Sequence, residues 1–479
     1  MTPEEFRHHA HGLVDWMADY LATVGERRIA PLVEPGDVRR MLPREAPARG
    51  EPFERIAADF RDVIVPGMTH WNHPGWFAYF PANTSPPSIL AEMLTATIGA
   101  QCMSWATSPA ATELEQVVME WLRRMLDVPP EFTGVIQDTS STATLVAVLT
   151  ARERATNHLT GARGLSGGAP RLTAYASVEA HSSVAKAVKL AGIGLENLRL
   201  VPVDSTWALD PARLAALMAA DVADGCIPAC VIATVGTTSS TGLDPIRAIG
   251  EICRQHGAWL HVDAAYAGSA AILPECRYVL DGIELADSLV FNPHKWLLTN
   301  FDCSAYFVRD VDLLRRTFQT SPEYLKTTHD PEVANFRDWG IQLGRRFRAL
   351  KLWFVLRSYG VDGLQAMLRR HIALAAEFRG WVEAEPGFEV AAPSPLGLVC
   401  FRYAPGGPSD VSLDARNRAM LQRVNADGSV HLTHTVLAGR YTLRMAIGQW
   451  QTARADVARA WKLIRAAAVA EAPPGEVPS

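Results

Sequence analysis

Two stretches decide the fold: Trp259-Leu-His-Val-Asp-Ala-Ala-Tyr-Ala-Gly268 and Ser288-Leu-Val-Phe-Asn-Pro-His-Lys295. Each opens with a short, almost unbroken apolar run and ends abruptly in a polar residue followed by small or helix-starting residues. Such runs are the pattern of strands buried on both faces, since a half-exposed strand would alternate apolar and polar residues. Working outward, Thr133-Gly-Val-Ile leads through a polar loop into a long helix ending near Arg154. Leu172-Thr-Ala-Tyr-Ala is followed by a helix from His181 to Leu190, and Cys230-Val-Ile-Ala-Thr-Val supplies a further strand. Strands separated by helices predict an α/β fold with a mostly parallel central sheet covered by helices on both faces.

The flanking regions differ in texture. Residues 1–85 read as helical and then Pro- and aromatic-rich, with Trp71, His73, Trp76, Phe77, Tyr79 and Phe80 close together. This segment cannot bury its apolar faces alone and is expected to pack on another domain or subunit. Residues 86–355 form the expected large domain. Residues 356–479 read as a smaller α/β domain: a helix from Val361 to Ala384, strands at Leu398–Tyr403 and Tyr441–Ala446, and a helix from Ala453 to Ala468. The end, from Ala472, has the composition of a disordered tail.

Bulk properties exclude several classes. A formal net charge of −5 asks for neither nucleic acid nor a membrane surface. No apolar run approaches the roughly 18 residues of a spanning helix, and the N-terminus lacks a signal peptide's basic start, so a cytoplasmic location is the default. The seven cysteines are scattered without CxxC pairs, which predicts reduced thiols and no metal site.

Open α/β sheets bind ligands beyond the carboxyl ends of their strands, and the informative residues fall there. Asp263 closes a strand beside small residues that leave room for a flat ring. A carboxylate facing a pyridine nitrogen would keep it protonated and make the ring an electron sink; the plainer reading is a capping Asp. Lys295 follows the next strand in an apolar setting that suits a Schiff-base lysine better than a solvated one. Gln137-Asp-Thr-Ser-Ser-Thr142 places hydroxyls and free N–H groups at a helix start, as a phosphate site needs, although a simple N-cap would use the same residues. Thr237-Thr-Ser-Ser240 is a second polar loop with the same ambiguity. His181 opens a helix after a strand, where an imidazole could stack on a ring or serve structure alone.

Taken together, HVDAAYAGSA, NPHKWLL followed by NFDCSA, AHSSV, FAYFP and LGRRFRALKLW closely resemble the aromatic-L-amino-acid decarboxylase family, over about Phe6 to Ile464. These are the pyridoxal 5'-phosphate (PLP) enzymes that include the DOPA, tryptophan and tyrosine decarboxylases; a bacterial-type member is expected. The resemblance implies the aspartate-aminotransferase-like fold type I and a homodimer with its active site at the subunit interface, the first segment wrapping the partner. It implies that Lys295 carries the cofactor, Asp263 pairs with its ring nitrogen, His181 stacks on one ring face and Ala265 lies on the other. Ser140, Ser141, Asn292 and His294 would hold the phosphate, and Thr238 would lie near the ring hydroxyl.

Tyr324, in Pro322-Glu-Tyr-Leu-Lys326, matches the loop tyrosine that protonates the product carbon. Related aldehyde synthases commonly carry Phe there, so Tyr324 favours an arylalkylamine product from Trp, Phe, Tyr or DOPA over an aldehyde. A non-catalytic PLP-binding protein is a third reading. Trp71, Tyr79 and Phe80 suit an aromatic substrate side chain, although ordinary interface packing would use them equally; the resemblance adds Ala82, Gln101, Met103 and Gly344 to the expected substrate pocket. Ala82, Gln101 and Met103 depart from the animal pattern, which has Thr, an aliphatic residue and Phe. Asp138 stands where animal members have Gly.

Overall fold

A computed structural model describes residues 1–165, 170–320, 332–406 and 411–471. Tyr324 and the tail expected to be disordered lie outside the described residues.

The larger sheet has seven strands: β1 (Thr133–Gln137), β2 (Leu172–Ser177), β3 (Leu198–Val201), β4 (Ile227–Thr234), β5 (Trp259–Asp263), β6 (Ser288–Phe291) and β7 (Ser304–Val308). Their order is β1-β7-β6-β5-β4-β2-β3. β7 pairs antiparallel with both β1 and β6, and the other pairings are parallel. Alternate side chains enter different cores: Leu260, Val262, Leu289 and Phe291 on one face, Trp259, Ile232 and Val290 on the other. Apolar cores on both faces explain why these strands are written as continuous hydrophobic runs. The expected strands are present, with bounds shifted by a few residues. β3 and β7 were not foreseen, and the helix expected from His181 begins at Ser183.

A second, antiparallel sheet follows, made of β8 (Phe388–Val390), β9 (Leu398–Tyr403), β10 (Thr433–Leu437) and β11 (Arg440–Ala446), in the order β10-β11-β9-β8. It packs on its own apolar core with the helix Arg454–Ala470. Gly360, at φ 63° and ψ 174°, breaks the span Arg348–Ala384 into two helices, the second matching the one expected from Val361. Glycine accepts this left-handed φ without steric cost.

The chain opens with the helix Pro3–Thr23, started by a capping box between Thr2 and Glu5; none of its residues is buried. All seven cysteines are buried free thiols. Among the described residues no helix is long and apolar enough to cross a membrane, and no group of three metal-ligating side chains gathers.

Candidate active site

The parallel strands β4, β5 and β6 end side by side, at Thr234, Asp263 and Phe291. Beyond those ends lies a cavity of about 260 Å³, lined among others by Ser140, Ser141, His181, Thr238, Asp263, Ala265, Asn292, His294 and Lys295. All nine predicted cofactor residues thus meet in one place, and Phe80 joins them.

Lys295 is carried on the short helix Pro293–Trp296 directly after β6. Its backbone is fixed at both ends: its N–H donates to Asn292 O at 2.9 Å, and its carbonyl accepts from Asn83 Nδ2 at 2.8 Å. Nζ lies 5.5 Å from the centre of the Phe80 ring. Burial lowers the pKa of this amine, and the nearby charge of Asp263 partly restores it. Desolvation penalises the ammonium form, so a larger share of the side chain is a neutral nucleophile.

Asp263 is buried at the end of β5 and accepts a hydrogen bond from Ala265 N at 3.1 Å. Burial raises its pKa, opposed by the charge of Lys295, by the Ala265 N–H and by His181. His181 is held by the residues that follow it: Ser183 N donates to Nδ1 at 3.2 Å, and the Ser183 hydroxyl lies 2.9 Å from the same nitrogen. A backbone N–H can only donate, so Nδ1 is an acceptor and the neutral ring carries its proton on Nε2. Burial lowers the pKa of His181, which favours that neutral ring. His294 is fixed in the same tautomer by Cys303 N at 2.9 Å, and burial pushes its pKa down to about 3.

One end of the cavity suits an anion. The helix Ser140–Ala155 is capped by Thr139 and starts at the cavity wall, so Ser140 and Ser141 bring first-turn N–H groups and hydroxyls there. Asn292 Oδ1 accepts from Ser140 Oγ at 2.5 Å and from Ser304 Oγ at 2.7 Å, which orients the amide. Thr234 Oγ1, also at the wall, is buried without a hydrogen-bond partner. An amine, a buried carboxylate, a helix N-terminus and an unsatisfied hydroxyl around one cavity fit a phosphorylated pyridine aldehyde.

The other predicted residues lie elsewhere. Trp71 stacks on Tyr79, with ring centres 5.5 Å apart, and Tyr79 is 54% exposed. Gln101 Oε1 accepts from Arg345 N at 2.8 Å, and a Cβ on Gly344 would come within 3.0 Å of Gln101 Nε2. Gln101 and Gly344 therefore touch, but neither they nor Trp71, Tyr79, Ala82 or Met103 line this chain's cavity. Sequence reasoning missed Thr234, Gly236, Tyr266 and Phe301 at the wall, and Asn83 behind Lys295, while Thr139 lies in the polar loop it offered as a phosphate site. Thr234 was open to prediction as the polar residue near the end of an expected strand; Asn83, 212 positions away from the lysine it holds, was not.

The model of the pyridoxal-dependent decarboxylase conserved domain matches residues 35–404, and the chain belongs to that family. It is 45% identical over 478 residues to the aromatic-L-amino-acid decarboxylase of Sus scrofa, covering 97% of this chain and 96% of that protein. Over 475 residues it is 43% identical to the phenylacetaldehyde synthase of Arabidopsis thaliana, covering 97% and 96%. The crystal structure of the Oryza sativa protein termed TDC, with PLP and tryptamine, superposes with a TM-score of 0.95 at 39% identity, over 98% of each chain. The architecture is that of the fold type I PLP enzymes, and the cofactor is pyridoxal 5'-phosphate. These relatives come from plants and a mammal and do not bear out the expected bacterial type.

Proposed function

We propose that this enzyme decarboxylates an aromatic L-amino acid to the corresponding arylalkylamine and CO2. The observation that carries the reading is the convergence of Lys295, Asp263 and His181 on one cavity that is also lined by the N-terminus of the helix Ser140–Ala155. When bound, pyridoxal phosphate supplies the sink for the electron pair left as CO2 departs.

The chain's own residues do the rest. Ser140, Ser141, Asn292 and His294 bind the phosphate and so set the position of the ring. Lys295 provides the amine that holds the cofactor and yields to the substrate's amino group. Asp263 keeps a proton on the ring nitrogen. His181 would stack on one face of the bound ring, and the small Ala265 would leave space on the other. Thr238 would lie near the ring hydroxyl. Tyr324 delivers the proton to the substrate Cα once CO2 has left.

The likeness to a phenylacetaldehyde synthase supports a second reading, in which oxygen intercepts the reaction and an aldehyde forms. A product assay separates the two. Holoenzyme in air with equimolar L-Trp, L-Phe, L-Tyr and L-DOPA should yield amines without peroxide, whereas aldehyde with stoichiometric peroxide would establish the second reading. Tyr324→Phe should divert turnover from amine toward aldehyde; an unchanged amine yield would remove Tyr324 from the proton-donor role.

We also infer a homodimer in which residues 1–85 are a dimerisation segment. The helix Pro3–Thr23 has no buried residue, and Leu90, Leu94 and Ile98 lie exposed one turn apart along the helix Pro86–Ile98. In this arrangement Gln101, Met103 and Gly344, absent from this chain's cavity, would face the partner's. Sedimentation should give twice the chain mass, and a monomer with full activity would refute the arrangement.

A further inference from the structure

Arg444 lies in β11 of the second sheet and is buried, 3% exposed; it does not line the active-site cavity but bonds to the backbone of Thr238 and packs near Phe80, both of which do. Its hydrogen bonds go to three separate segments. Nε donates to Ser239 O at 3.1 Å, and Nη2 donates to Thr238 O at 2.7 Å and to Tyr79 O at 3.4 Å. Nη1 donates to Thr433 Oγ1 at 3.0 Å, and that same oxygen accepts from Tyr79 N at 3.3 Å. The guanidinium carbon also sits 5.4 Å from the centre of the Phe80 ring, the ring that Lys295 approaches from 5.5 Å.

The pattern has a physical purpose. Tyr79 adopts φ 52°, a left-handed conformation that is costly for a non-glycine residue and persists only where its surroundings hold it. Here the Tyr79 N–H and carbonyl are both held, one through Thr433 and one directly by Arg444. The resulting bend turns Phe80 inward, where it stacks on Tyr266 with ring centres 3.9 Å apart. On its other side the guanidinium grips two consecutive carbonyls of the loop that carries Thr238 into the cavity. A planar fork can span these acceptors; a lysine ammonium is a single point and cannot. The acceptors are neutral carbonyls and a hydroxyl and they occupy four N–H bonds, so the group acts as a clamp and not as an anion receptor.

We propose that Arg444 is a positioning residue for the decarboxylation assigned above: it locks the Tyr79–Phe80 bend and the Thr238 loop into one geometry, so that the second sheet braces the active-site wall from behind. The inference rests on the functional reading for its rate measurements only.

The test uses Arg444→Lys and Arg444→Ala holoenzymes. Misplacing cavity-wall groups by about 1 Å should lower kcat/KM by about tenfold to a hundredfold, alter the visible circular dichroism of the bound cofactor and weaken PLP binding. Added guanidinium should partly restore the Arg444→Ala dichroism, which a merely structural role would not allow. If Arg444→Ala fails to fold, Arg444→Lys carries the test. Wild-type values of kcat/KM, dichroism and PLP affinity in Arg444→Lys would overturn the proposal, as would a lowered melting temperature with those three unchanged. If wild-type enzyme turns over no aromatic amino acid, the functional reading fails, while dichroism and PLP affinity still decide the role of Arg444.

Discussion

Lys295→Ala is expected to lose turnover by about a thousandfold or more, because removal of a covalent anchor eliminates the reaction route and not one contact within it. Burial lowers the pKa of the amine, Asn83 and Asn292 fix its backbone, and its Nζ is placed against Phe80. No other lysine lines the described part of the cavity, so none is placed to substitute. The phosphate-binding end is untouched, and the variant should still bind PLP, but reversibly. Borohydride reduction followed by intact-mass analysis should therefore tag the wild type and leave Lys295→Ala untagged. A variant that stays tagged, or keeps more than a few per cent of wild-type kcat, would place the anchor elsewhere. Turnover that vanishes with Lys295 would also dispose of the idea of a PLP-binding protein without catalysis.

What was legible in the sequence follows from burial. β4, β5 and β6 carry apolar side chains into cores on both faces, and their ends deliver Thr234, Asp263 and the Lys295 helix, so the centre of the sheet and of the site could be read from runs of residues. β3 is a half-buried edge strand whose pattern carries little signal. β7 is fully buried and its Ser304-Ala-Tyr-Phe-Val run carried the same signal as β5 and β6, but it runs antiparallel and follows the lysine helix without a crossover helix, so it did not fit the expected βαβ alternation. β10 alternates partly buried and exposed residues, including His434 and Thr435, and looks like loop.

The site divides in the same way. Asp263, at the end of β5, and Lys295, just past β6, were found from position and residue type, whereas Thr234 at the end of β4 was not. Arg444, Asn83 and the contact between Gln101 and Gly344 depend on long-range closure of the chain, which no local pattern encodes. The aromatic cluster and the resemblance to the decarboxylases together supplied the expected substrate residues, and neither could say that six of them lie away from the cavity their own chain forms.

Asp263→Asn is expected to lower kcat by about a hundredfold to a thousandfold with little change in KM, and the reason is electrostatic. A unit charge pair about 3 Å apart is worth roughly 5 kcal/mol at an effective dielectric of 20, and most of that is needed when the ring must accept an electron pair. Asparagine keeps the size of the side chain and loses the charge, so the effect is not one of packing. Burial raises the pKa of the Asp263 carboxyl in the free protein, so as pH falls it takes up a proton earlier than an ordinary carboxylate does. The protonated acid no longer attracts a pyridinium. Wild-type affinity for PLP should therefore fall on the acid side at a pH above the ordinary carboxylate range, and this limb should be missing when Asp263→Asn is titrated alongside. Titration of the cofactor's own phosphate affects both proteins equally, so the difference between the two curves isolates Asp263. Superimposable curves, or a kcat within a few-fold of wild type, would mean that Asp263 caps its strand and leaves the ring nitrogen to another group.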